Sequence, residues 1–441
     1  MGILQVRCIR YFNQNIAVKG FLTNGERKFG QYIFWQECEL LLHNRRIPSN
    51  LNLDGLRTVV LPCPRKNKME KLKIIVMGSW NTDGGVSRHT TPLVEWLIEH
   101  GYKIKVFTHH KECTHGYPLD VEDEEFVYRC FTSTGKKISE RPSFDAELLL
   151  NTVEQEGYNI FLAEDLGMLP MEELLEIFPR IKAKTKTVLL NHDNIAKPHD
   201  SPFWKFEWDA IVNFLPKQNC FMKKHYPLEK IHCIEFPAFE QSRANIEKSC
   251  KKMSLPTYRN IILTFGEYNM VDFLPAVCAM KKDDPLIFLM ALVYNEEHKI
   301  KLKMQIAEMK KIYSDIGYDE IRIENSSWQR RRDYVHASKT VILDKGEGVM
   351  GNGAILSSSA YQIIGWGTPI LARDSFFFSS FQGGELLKYK NVSELTEGVR
   401  ILIHDYNKRE KIIARADEFA VNHSPGKTAS LFLKLFNGLI A

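Results

Sequence analysis

Residues 71–88, KLKIIVMGSWNTDGGVSR, constrain this chain more than any other stretch, because they read as a buried strand running into a polar turn and then a helix. Residues 72–77 are apolar at every position but Lys73, the pattern of an inner parallel strand covered on both faces. Gly84 and Gly85 are expected to let the backbone turn sharply and to bring a ligand close to the start of the helix, an arrangement suited to phosphate. The following run, TPLVEWLIEHGYKIKVF, supplies that helix and a second strand at 104–107. A strand, a helix and a strand in this order commit the chain to an α/β sheet.

At 441 residues the chain exceeds the size at which one core keeps growing, so two major domains and an appendage are expected. Its apolar fraction of 44% and its 26 phenylalanines are enough to fill large cores. Nine widely spaced cysteines with no Cys-x-x-Cys pair point to reduced thiols and a cytoplasmic setting. The histidines form no His-Glu-x-x-His pattern, and no metal is expected. The opening MGILQVRCIRYF leads into no continuous apolar core of a signal peptide, and the longest apolar run, 286–293, is far too short for an integral membrane segment. A formal charge of +5 permits anionic ligands or an acidic membrane surface but does not establish nucleic-acid binding.

Residues 1–70 carry β-like runs at 5–12, 31–35 and 58–61 and read as an N-terminal extension or β-rich elaboration. An α/β series occupies 71–240, with strands at 104–107, 158–163, 187–191 and 210–214. Regularity lapses over 241–260, the expected interdomain connection. A second series over 261–410 opens at 261–265, continues through a helix at 272–280 and a strand at 286–293, and carries later strands at 320–323, 340–343 and 369–372. Residues 300–316 have helical apolar spacing with lysines on the other face, which leaves open a peripheral contact with a membrane or an acidic partner. A helical crossover is expected over 411–441.

Three segments carry a resemblance: GSWNTDGGVSRH, ILTFGEYN, and VILDKGEGVMGNG followed by SAYQIIGWGTPILARD. Together they resemble the large, retaining, family 4-like group of nucleotide-sugar glycosyltransferases. The match covers roughly 71–425 and is sharpest at Gly365, Gly367 and Pro369. The resemblance implies a GT-B fold, α/β with two facing Rossmann-like domains, an interdomain cleft and the added N-terminal segment. It implies transfer of a hexose from a nucleotide diphosphate sugar to a hydroxyl acceptor on a glycan, lipid or small molecule, with no tightly bound cofactor and no metal. A sugar-nucleotide epimerase, a noncatalytic sugar-nucleotide-binding scaffold and a nucleic-acid glycosyltransferase are the alternatives that stay open. Two departures mark the chain: it lacks the basic pair that usually follows the strand at 261–265, and Gln362 stands where the family carries a second donor-site glutamate.

The candidate site residues follow from these segments. His192, just beyond a predicted parallel strand and beside Asp193, is the candidate to touch the transferred sugar. Glu347, between Gly346 and Gly348, is the candidate for the donor hydroxyls, with Gln362 hydrogen-bonding the nucleotide. Gly84 and Gly85 on one side, and Asn352 and Gly353 on the other, are expected to form close turns around the diphosphate. Ser357, Ser358 and Ser359 mark a helix start, and Arg330 or Arg331 can clamp a phosphate bidentately. Asp83, His89 and Asp193 are the candidate bases should the reaction invert.

Overall fold

The computed structural model describes residues 4–12, 14–22, 71–114, 118–133, 144–193, 195–265, 280, 284–293, 296–312, 321–325, 328–346 and 356–441. The chain divides into two compact units, Met1–Met69 and Glu70–Ala441. In the first, β1 (Leu4–Phe12) and β2 (Gln14–Leu22) form an antiparallel pair with Leu4 opposite Leu22. The strands expected at 31–35 and 58–61, and nearly all of the helix expected at 272–280, lie outside the described residues.

The second unit holds two parallel sheets. The first is built from β3 (Lys73–Met77), β4 (Lys103–His109), β5 (Val127–Phe131), β6 (Ile160–Glu164), β7 (Lys186–Asn191), β8 (Ala210–Asn213) and β9 (Ile231–Cys233), in the order β5-β4-β3-β6-β7-β8-β9. The second uses β10 (Asn260–Phe265), β11 (Ile287–Val293), β12 (Ile321–Asn325), β13 (Thr340–Leu343), β14 (Ile370–Arg373) and β15 (Leu387–Tyr389), in the order β12-β11-β10-β13-β14-β15. Both sheets start in the middle, grow outward on one side and then return to the other. The reversal falls between β3 and β6 in the first sheet and between β10 and β13 in the second. At such a switch point the connections leave in opposite directions, and a crevice opens at the carboxyl ends of the strands.

The strands form where the sequence is continuously apolar: Ile74, Ile75, Val76 and Met77 are all buried, as an inner parallel strand requires. The helix Gly85–Glu99 lays Leu93, Val94 and Leu97 onto this sheet. The last helix, Pro425–Ile440, packs against Gly85–Glu99 and β7. It comes close because Gly426 has no side chain: a Cβ there would lie 2.7 Å from Trp96 Nε1. One apolar cluster runs from Leu72 through Phe236 in the connecting segment to Phe432 in this helix. The connecting segment is tied down by Ala238 N–H donating to His423 O and Phe239 N–H to Tyr361 O. The helix expected at 300–316 spans Glu296–Ile312; Glu296 and Glu297 fill its first turn, where acidic groups complement the helix dipole.

Candidate active site

The loop after β3 builds one wall of the first crevice. Its sharp turn is taken by Asn81, with φ of 53°, and not by Gly84, whose φ of −116° and ψ of 162° are open to any residue. Asparagine enters the left-handed region more readily than most side chains. Asn81 Nδ2 donates to Asp123 Oδ1 at 3.1 Å, and Trp80 Nε1 donates to Glu124 Oε2 at 3.0 Å, pinning the loop to the first sheet's side. Its tip reaches the second sheet's helix Ser358–Ile363: a Cβ on Gly85 would sit 3.6 Å from Ser358 Oγ.

At this contact two arginines, Arg88 on the helix Gly85–Glu99 and Arg331 on the helix Trp328–His336, meet one carboxylate. Arg88 Nη2 donates to Asp83 Oδ1 at 2.5 Å, while Arg331 Nη1 and Nη2 donate to Oδ1 and Oδ2 at 3.2 and 2.5 Å. Arg88 Nη1 reaches Ser358 Oγ and Ser359 Oγ at 3.2 and 3.1 Å, and Arg331 Nη1 reaches Gln362 Oε1 at 3.2 Å. Arg331 is fully buried, its guanidinium 5.1 Å from the centre of the Phe265 ring. Burial alone would raise the Asp83 pKa; Arg88 and Arg331 outweigh it and hold the carboxyl at about 2. Gln362 Nε2, also fully buried, has no hydrogen-bond partner among the described residues.

The second cluster sits at the carboxyl end of β6. Glu164 is fully buried, and its Oε2 accepts from the Thr90 hydroxyl, lies 3.3 Å from His89 Nδ1 and 3.5 Å from His192 Nε2. The switch point explains the meeting: β3 and β6 are neighbours, and Gly78 at the end of β3 leaves the space that Glu164 fills, since a Cβ there would lie 2.9 Å from Glu164 Cβ. His89 is enclosed by Phe214, Phe236 and Phe432, with ring centres 5.1, 5.4 and 5.9 Å away. Its Nδ1 donates to Glu164, and its Nε2 has no hydrogen-bond partner among the described residues. At 3.5 Å the His192 contact lacks the alignment of a hydrogen bond. Burial pushes the Glu164 pKa up, but His89 and His192 outweigh it and hold the carboxyl at about 2. The ligand atoms of His89, Glu164 and His192 lie within 4.8 Å of one another, a two-histidine, one-carboxylate set of the kind that can hold a transition metal.

Beside His192, two carboxylates and a lysine converge over Gly167. Asp193 Oδ1 pairs with Lys197 Nζ at 2.6 Å, and both atoms lie within 3.5 Å of where a Gly167 Cβ would stand, as does Asp165 Oδ1. Asp165 is left-handed, with φ of 57°. Burial raises its pKa to about 6, and Asp193 is raised for the same reason.

These placements sort the expected residues. Arg331, Ser358, Ser359, Gln362 and Gly85 gather around Asp83, and His192 stands by Glu164. Ser357 is the helix cap, its Oγ accepting from Ala360 N–H, and Arg330 is exposed over Tyr334. Glu347, Asn352 and Gly353 lie outside the described residues. Sequence reasoning missed Glu164, Arg88 and Thr90. The available signal for Glu164 was an acidic residue closing an otherwise apolar strand, FLAED, at its carboxyl end.

No family model matches the chain. Among solved structures it is similar to a glycosyltransferase from Rickettsia africae, at 14% identity and a TM-score of 0.57, covering 84% of this chain and 99% of that one. It is similar to sucrose-phosphate synthase from Thermosynechococcus elongatus, at 12% identity and a TM-score of 0.57, over 84% and 99% of the two chains. It is likewise similar to Anabaena HepE in complex with UDP-glucose, at 12% identity and a TM-score of 0.57, over 83% and 100%. At such identities the likeness carries the fold, and the fold is the two-Rossmann, GT-B arrangement.

Proposed function

We propose that this protein is a glycosyltransferase that moves a hexose from a nucleotide diphosphate sugar to a hydroxyl acceptor with retention of configuration. The observation that carries the reading is the convergence of Arg88 and Arg331, one from each sheet's side, on a single anion at the switch-point crevices. Two guanidiniums, one of them bidentate, are the chemistry that holds a diphosphate and stabilises the charge it gains on leaving. HepE, solved with UDP-glucose, supports this class of donor.

In the reaction the bond from the anomeric carbon to the phosphate oxygen breaks, and the acceptor oxygen attaches on the face the phosphate leaves. The acceptor's proton passes to the departing phosphate. Arg88 and Arg331 neutralise that phosphate, with Ser358 and Ser359 fixing the Arg88 fork. His192 donates a hydrogen bond to the transferred sugar, oriented by Glu164, while Gln362 takes the nucleotide side and Glu347 the donor hydroxyls. Gly84, Gly85, Asn352 and Gly353 are the close turns around the diphosphate. The two arginines supply charge that does not depend on a metal.

The test is incubation of purified protein with a panel of nucleotide sugars, with and without cell extract as a source of acceptors. The reading predicts a new glycoside and release of the nucleoside diphosphate. An epimerised nucleotide without a glycoside would assign the fold to epimerase chemistry, and no binding or turnover across the panel would remove both.

A further inference from the structure

We propose that Asp83 is a built-in competitor for the donor: its carboxylate occupies the anion site of Arg88 and Arg331 and must swing out before a diphosphate enters. This rests on the reading of that site as the diphosphate's. Arg331 grips Asp83 with both terminal nitrogens on both oxygens, the fork geometry it would present to a phosphate. The side chains of Asp83 and Arg88 are each 5% exposed and that of Arg331 is 0% exposed, so Asp83 fills a buried position between the two guanidiniums.

Charge and hydrogen bonding both favour exchange. A diphosphate brings more negative charge and more acceptor oxygens to the two guanidiniums than the single carboxylate it displaces. Gln362 Nε2, buried beside Arg331 with its oxygen already used, is a donor with no acceptor among the described residues. Asp83 precedes Gly84, the cap of the helix Gly85–Glu99, so its side chain lies in the loop and not within the helix. Because Asp83 sits on the first sheet's loop and Arg331 on the second sheet's helix Trp328–His336, the same carboxylate also draws the two sides together when no ligand is bound.

The consequence is an apparent affinity reduced by the fraction of molecules in which Asp83 has left the site. The full chain and its Asp83→Asn variant are titrated calorimetrically with inorganic pyrophosphate and with UDP. The variant is expected to bind pyrophosphate about tenfold more tightly, or better, than the wild type. Should the variant be marginally folded, pyrophosphate is expected to raise its melting temperature more than the wild type's. Equal or weaker pyrophosphate binding with no larger thermal shift would overturn the proposal, as would no pyrophosphate binding by either protein. Tighter pyrophosphate binding by the variant, with UDP and other nucleotides bound by neither, would keep the competitor and remove the nucleotide-sugar reading. Nucleotides bound equally by both would do the reverse.

Discussion

Replacing Glu164 by Gln removes a buried charge on which three side chains converge, and its cost can be worked from the site. The folded carboxyl titrates at about 2 against an ordinary 4.5, and that difference at about 1.4 kcal/mol per unit corresponds to about 3 kcal/mol of stability at neutral pH. The hydrogen bonds give the same size: the Thr90 hydroxyl and His89 N–H both donate to a charged acceptor, at about 1.5 kcal/mol each. The sign follows from a depressed pKa. The contribution is complete above the unfolded value near 4.5 and is lost as pH falls through about 2. Glu164→Gln should therefore lose about 3 kcal/mol at pH 7, with the deficit narrowing steadily below about pH 4.5. Urea denaturation of wild type and variant at pH 7, 4 and 3 reads this directly. An unchanged midpoint at pH 7, or a deficit of constant size across the three conditions, would refute the reasoning.

Three further outcomes follow from the same geometry. His192→Ala should lower kcat by about a hundredfold or more while donor affinity stays close to wild type, and wild-type turnover by the folded variant in steady-state assays would end its catalytic role. Gly78→Ala sets a Cβ 2.9 Å from Glu164 Cβ, and overpacking there should cost about 1–3 kcal/mol; an unshifted thermal melt would contradict it. Asp165, raised to about 6 by burial and by Asp193 and Glu164 against the opposing His192 and Lys197, contributes stability below about pH 4 that is lost as pH rises through 6. Asp165→Asn keeps a side chain that accepts the left-handed backbone and should melt higher than wild type at pH 8 with no gain at pH 4; a lower melt at pH 8 would contradict this.

The two sheets were legible because parallel inner strands announce themselves as short continuous apolar runs: 72–77, 261–265 and 286–293 all fall within a residue or two of β3, β10 and β11. The turn after β3 was misassigned because glycine is the default reading for a tight loop, whereas Asn81 adopts the positive φ and is held there by Asp123. Arg330 and Arg331 could not be separated from sequence, since neighbours on a helix point about 100° apart and only packing decides which one is buried. His192 was singled out for its place after a strand, but its nearness to Glu164 and His89 depends on the switch point that sets β3 beside β6. Nothing in the spacing of residues 89, 164 and 192 encodes that. Asp83 looked like a candidate base; its pairing with Arg331, 248 residues away, exists only once both sheets are in place.

The central claim is that Arg88 and Arg331 form a diphosphate site shared by the two sheets. A crystal structure of the protein with a nucleotide diphosphate sugar bound tests it most directly. The diphosphate is expected on both guanidiniums, with Asp83 turned away, Gln362 Nε2 donating to the nucleotide or its phosphates, and the sugar beside His192. A bound nucleotide elsewhere, with Asp83 still held between Arg88 and Arg331, would contradict it.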